Sequence, residues 1–150
     1  MKSAKNVRHA AENSFTSGLY CAESVLLALA EAQGIKSNLL PRIATGFCSG
    51  MARSSGTCGA VTGAIMGIGL ALGRSRAEET VNRAYAATQR FIQQFETEFG
   101  ARDCHQLLGC DLGTEEGQKT FRESGLRDRC TSFSGRAAEL AQRIIEEARQ

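Results

Sequence analysis

Gly59, Gly63 and Gly67 stand four residues apart in the run CGAVTGAIMGIGLALG. On a helix that interval gathers them into one nearly flat strip. Each glycine inside a helix costs about 0.5–1 kcal/mol relative to alanine, so three in register call for a close approach by another helix. The spacing therefore predicts a buried central helix over residues 58–72, stopped by Gly73. A membrane span is the competing reading, because residues 59–73 carry no charge. These fifteen residues rise only about 22 Å, short of the roughly 30 Å hydrocarbon core, and Arg53 and Arg74 bracket them. A packed helix in a globular protein fits better. Gly67, Gly69 and Gly73 also imitate a nucleotide loop, but their G-x-G-x-x-x-G spacing misses the dinucleotide pattern and follows no strand. No Gly-Lys-Ser/Thr sequence is present, so phosphate binding is discarded.

The rest of the chain reads as further helices around this one. Val7, Ala11 and Phe15 form one apolar face over residues 4–15. Residues 21–33 are rich in strong helix formers, with Gly34 at the cap. A short apolar segment over 38–45 holds Pro41 near its start, where a first-turn proline does no harm, and Gly46, Gly50 and Gly56 make the next stretch irregular. Ser75 and Glu78 read as a capping box opening a long helix, with Val81, Ala84, Tyr85, Thr88, Phe91, Ile92, Phe95 and Phe99 on one face, ended by Gly100. Short helices are expected over 104–108, capped by Asp103, and over 115–123 after Thr114. The last helix is expected from about residue 135 to 149, burying Ala138, Ala141, Ile144, Ile145 and Ala148. No alternating β-branched run appears. The fold class is all-α, a single-domain bundle of about five to seven helices around a central Gly/Ala-rich helix.

At 150 residues such a domain buries enough surface to stand without disulfides. Eighteen basic residues against sixteen acidic ones, with no block of like charge, argue against nucleic-acid and membrane-surface partners. The first residues, MKSAKNVRHAAENSF, lack the apolar stretch of a signal peptide, so a cytoplasmic location is expected. In a reducing compartment, six cysteines point to catalysis, redox sensing or metal binding rather than to structural bridges. The competing use of any single cysteine is as a small core residue.

Cys21, Cys58 and Cys104 each fall at the start of an expected helix, where free amides and the helix dipole favour a thiolate. Asp103 opposes this at Cys104. Cys130 is expected just before the final helix, beside Arg127 and Arg129, whose charges favour a thiolate there. Zinc ligands usually pair as C-x2-4-C. This chain instead has C-x9-C at Cys48 and Cys58 and C-x5-C at Cys104 and Cys110. A zinc ion or iron–sulfur cluster held by thiolates from separate helices, drawn from Cys21, Cys48, Cys58, Cys104, Cys110 and Cys130, competes with redox catalysis as a use for these residues. His105 follows Cys104 directly and so points about 100° away from it on a helix. Both it and His9 read as surface histidines. No H-E-x-x-H, G-x-S-x-G or marked acidic pair is present. Glu78, Glu79, Glu146 and Glu147 read as solvated, and the Phe91, Phe95 and Phe99 stripe as core.

LYCAESVL around Cys21, GFCSGMARSSGTCGAVTGAIMGIGLALG, DCHQLLGCDLG and the late Cys130 together resemble the bacterial and archaeal family named for the pattern C-GCAxxG-C-C and described as redox-active. The likeness covers about residues 15–145. Cys58-Gly59-Ala60-x-x-Gly63 matches its central motif, although Thr57 stands before the cysteine and Gly59 after it. The resemblance implies that Cys21 is the first motif cysteine, Cys58 the central one, Cys104 the third and Cys130 the fourth, with Cys110 competing for the last position. Cys48 then is an addition particular to this chain. A small helical protein with thiol redox chemistry is implied, in a family that includes selenocysteine-containing members.

The expected function is a thiol-dependent redox protein. Cys58 is the expected nucleophile, with Cys21, Cys104 or Cys130 resolving its mixed disulfide. No cofactor is expected on that reading. The electrophile would be a small molecule or a redox partner protein, and an exposed remnant of the glycine strip could support a homodimer. Two different functions are compatible with the same residues: a non-catalytic zinc or iron–sulfur protein, and a helical interaction module with ordinary core cysteines.

Overall fold

The computed structural model describes residues 3–150. Eight helices lie among them: α1 (Ala4–Thr16), α2 (Cys21–Ala32), α3 (Cys48–Arg53), α4 (Gly59–Leu72), α5 (Asn82–Phe99), α6 (Cys104–Leu108), α7 (Glu115–Glu123) and α8 (Arg127–Ala148). A 3₁₀ helix over Arg42–Phe47 leads into α3. Among the described residues, no helix is long and apolar enough to cross a membrane.

The glycine strip does what its spacing demands. A Cβ on Gly63 would lie 2.7 Å from the Ala22 carbonyl oxygen, and those on Gly59 and Gly67 would collide with the Cys21 sulfur and the Leu29 side chain. Helix α4 therefore lies directly on α2, meeting its backbone at Ala22 and its side chains at Cys21 and Leu29. Its other sides meet α5 and α8, and α8 in turn packs on α1, α2, α4 and α5. Because α2 covers the strip, its glycines are not available as a dimer surface. Phe91 and Phe95 are fully buried and stack toward Phe99 and Phe133, with Phe95 and Phe99 centroids 4.8 Å apart.

Three expectations change. Helix α5 starts at Asn82, not near Ser75. The amide of Ser75 donates to Glu79 Oε1 at 3.2 Å, and Arg74 donates to the Ala77 and Glu79 carbonyls. These local bonds satisfy the segment as a turn; within α5, Tyr85, expected on the buried face, is 61% exposed and Ala87 takes the inward position. Helix α8 starts at Arg127, well before the expected Gly135, and Ala148, expected to be buried, is exposed near its other end. Finally, α3 is a turn of left-handed helix: Ser49, Gly50, Met51 and Ala52 have φ of 57°, 67°, 57° and 58°. Arg53 and Ser55 also have positive φ. Non-glycine residues pay about 1–2 kcal/mol each for this conformation, and the clamps described next hold it.

Candidate active site

The site is built from four helix starts. Cys21 opens α2, Cys58 is the N-cap residue of α4, and Cys104 opens α6. Cys130, expected before the last helix, lies instead within the first turn of α8, because that helix begins early. All four border one pocket of about 280 Å³.

Backbone pairing joins Cys58 to Cys104. The amide of Cys58 donates to the Arg102 carbonyl at 2.7 Å, and that of Cys104 to the Gly56 carbonyl at 2.9 Å. Gly50 allows the left-handed turn to close over them, since a Cβ there would sit 2.6 Å from Cys104 Cβ. The far side of the turn is fixed by Ser55 Oγ donating to Asp111 Oδ1 at 2.9 Å, and Gly113 lies close against the Arg53 carbonyl. The same aspartate caps its own loop, accepting from the Gly113 amide at 2.8 Å.

The four sulfurs differ electrically. Cys21 is lowered from 9.0 to about 7: the Cys48 thiol donates a hydrogen bond to it, and the amides of Ser49, Ala22 and Cys21 itself add to this, outweighing the opposing effect of burial. Such converging amides form an anion cradle, and the left-handed turn is what aims the Ser49 amide at the sulfur. Cys48 is correspondingly raised, chiefly because it holds its proton for Cys21. Glu23 Oε1 and the Ala44 carbonyl, both 3.7 Å from the Cys48 sulfur, are competing acceptors for that one proton. Glu23 is fixed in turn by the Tyr20 amide at 3.0 Å and Thr45 Oγ1 at 2.9 Å.

Burial, then the negative charge of Cys21, raises Cys58 well above its ordinary value, despite the Ala60 amide. This reverses the expectation from its place at a helix start. Cys104 and Cys130 are both pushed up to about 12, by burial first and the Cys21 charge second. Arg127 does lower Cys130, as its position in the sequence suggested, but burial wins. Cys110 is buried, does not border the pocket, and is raised by burial and by Asp111. Cys48 lies outside the pocket lining, next to Cys21. His9 and His105 are exposed and do not line the pocket. Among the described residues, no group of three or more His, Cys, Asp and Glu side chains is placed to hold a metal ion.

Several contributors carry little or no signal in the sequence. Cys48 reads there as an accessory, and Ser49 is marked by nothing beyond its neighbouring glycine. Phe15, Leu108, Phe121 and Phe133 supply apolar walls, while Arg53, Arg122 and Arg127 are exposed at the same pocket. The Arg127 guanidinium lies 5.4 Å from the Phe15 ring centroid, a cation–π contact.

Neither a curated protein nor a solved structure matches the chain. A family model described as "Putative redox-active protein (C_GCAxxG_C_C)" matches residues 19–144, which take in Cys21, Cys58, Cys104 and Cys130. By that match over most of its length, the chain belongs to the C-GCAxxG-C-C family of redox-active proteins.

Proposed function

We propose that this protein carries out thiol–disulfide redox chemistry, with Cys21 as the attacking thiolate and Cys58, Cys104 or Cys130 as the resolving thiol. The observation that carries the reading is that these four cysteines line one pocket, with the Cys21 thiol brought down to about 7 by hydrogen-bond donors. The sequence alone points to Cys58 for the attacking role. Its burial favours the thiol form, so we assign it to the second step.

In the first step the Cys21 sulfur bonds to one sulfur of an organic disulfide, whose S–S bond breaks and releases one thiolate. In the second, a neighbouring protein thiol gives its proton to that thiolate and bonds to the Cys21 sulfur, expelling the second thiolate. Two electrons pass from two protein thiols to the substrate. The order is favoured electrostatically. The negative charge on Cys21 helps to keep Cys58, Cys104 and Cys130 protonated, and the mixed disulfide removes that charge just when a second thiolate is needed.

Reduced protein, purified without oxygen, should be treated with an organic disulfide and its remaining thiols mapped by alkylation and peptide mass analysis. A bridge from Cys21 to Cys58, Cys104 or Cys130 is expected, with Cys110 left free and both halves of the substrate released as thiols. All six cysteines still free and unreactive, or bound zinc or iron accounting for them, would overturn the assignment.

A further inference from the structure

We propose that the pocket selects a small organic disulfide carrying an acidic group beside an apolar body, recognised by Arg53, Arg122 and Arg127. The inference rests on the reading of Cys21 as nucleophile and adds the class of its substrate. These three arginines come from α3, α7 and the first residue of α8, so distant parts of the chain bring like charges to one place. Like charges brought together repel, and an anion between them relieves that repulsion.

No aspartate or glutamate lines the pocket among the described residues. None of the three arginines takes part in an ion pair among the described residues, unlike Arg8, Arg76, Arg90, Arg102, Arg136 and Arg143; Arg42, Arg74, Arg83, Arg129 and Arg149 are also without one but do not line the pocket. Guanidinium groups left unpaired beside a pocket suit bidentate capture of a carboxylate. The walls suit the rest of the ligand, since Phe15, Leu108, Phe121 and Phe133 offer apolar and aromatic surface. The size suits a small ligand: a pocket of about 280 Å³ is near the lower end of small-molecule sites.

Bound this way, the acidic group sits on the arginines and the S–S bond is presented to Cys21. Exchange then proceeds as above, the released thiolate leaving with its carboxylate. The test compares two aromatic disulfides in rapid-mixing kinetics with the reduced protein. Dithiobis-nitrobenzoate carries carboxylates, and dithiodipyridine carries no charge. In the triple variant Arg53→Gln/Arg122→Gln/Arg127→Gln, the ratio of the charged to the uncharged rate is expected to fall about tenfold. Salt should lower the same ratio in the unaltered protein, an arm that needs no variant to fold. A ratio indifferent to both the arginines and salt would sink the substrate assignment while leaving thiol exchange standing. Failure of both reagents to react with the unaltered protein would remove thiol exchange itself, and this assignment with it.

Discussion

Cys21 is buried, and burial alone would hold it as a thiol. What reverses this is the set of donors that meet its sulfur, of which the Cys48 thiol matters most. Removing that donor should therefore undo the effect: in Cys48→Ala, the pH midpoint of Cys21 alkylation by iodoacetamide is expected to rise from about 7 by roughly one unit or more. Cys48→Ser keeps a donor and should restore part of the shift. A midpoint unmoved by Cys48→Ala would show that the amides suffice. Reactivity should grow as pH rises through 7, since the thiolate is the nucleophile. At this scale the sequence is half legible. Cysteines at helix starts can be read from caps and periodicity. The Cys48–Cys21 contact cannot, because it depends on a left-handed turn made by Ser49, Met51, Ala52 and Arg53, residue types that favour right-handed backbone.

The α2–α4 pair shows how much one spacing can fix. Gly63 has no room for a methyl group: its Cβ would lie 2.7 Å from the Ala22 carbonyl oxygen and 3.0 Å from Ala22 Cα, both backbone atoms that cannot rotate away. Gly69 is on the same helix but faces open space. The two should respond in opposite directions to the same substitution. Gly63→Ala is expected to lower unfolding stability by about 1–3 kcal/mol, and Gly69→Ala to raise it by about 0.5–1 kcal/mol. Denaturant titration of both checks this, and equal effects would mean that helix propensity, not contact, explains the strip. The close approach also places Gly59 against the Cys21 sulfur, so the strip that joins the helices also leaves room for that sulfur. The strip, α2 and α7 are readable in the sequence because local signals and packing agree there. The ends of α5 and α8 are not. Ser75 and Glu78 resemble a cap, but Glu79 and Arg74 bind the same backbone as a turn. The first residues of α8 lack an apolar period because several of them face the pocket and solvent rather than the core.

The pocket holds its shape only if the helices carrying its sulfurs stay in register, and Glu139 is central to that. Buried on α8, it accepts hydrogen bonds from Arg8 of α1 at 3.2 Å, Arg136 at 2.9 Å and Arg143 at 2.8 Å. Arg136 extends the link to Glu98 of α5 at 2.9 Å. Burial by itself would raise the Glu139 pKa, but the hydrogen bonds of Arg136 and Arg8 and the charge of Arg143 bring it below 4.5 overall. A carboxyl whose folded value is depressed adds stability that is complete above its unfolded value and is lost as pH falls through the folded one. Glu139→Gln is thus expected to cost about 1–3 kcal/mol at neutral pH, the lower end applying because the arginines are partly solvated. The gap between variant and unaltered protein should narrow below pH 4.5 as the native carboxyl takes up its proton. Urea unfolding at pH 7 and pH 4 measures both. Cys21 alkylation should keep its midpoint near 7 in the folded variant, because none of the groups that tune that sulfur touches Glu139. A midpoint that moved would mean that helix register and thiolate stabilisation are coupled, so that the ion cluster acts on the site as well as on the scaffold.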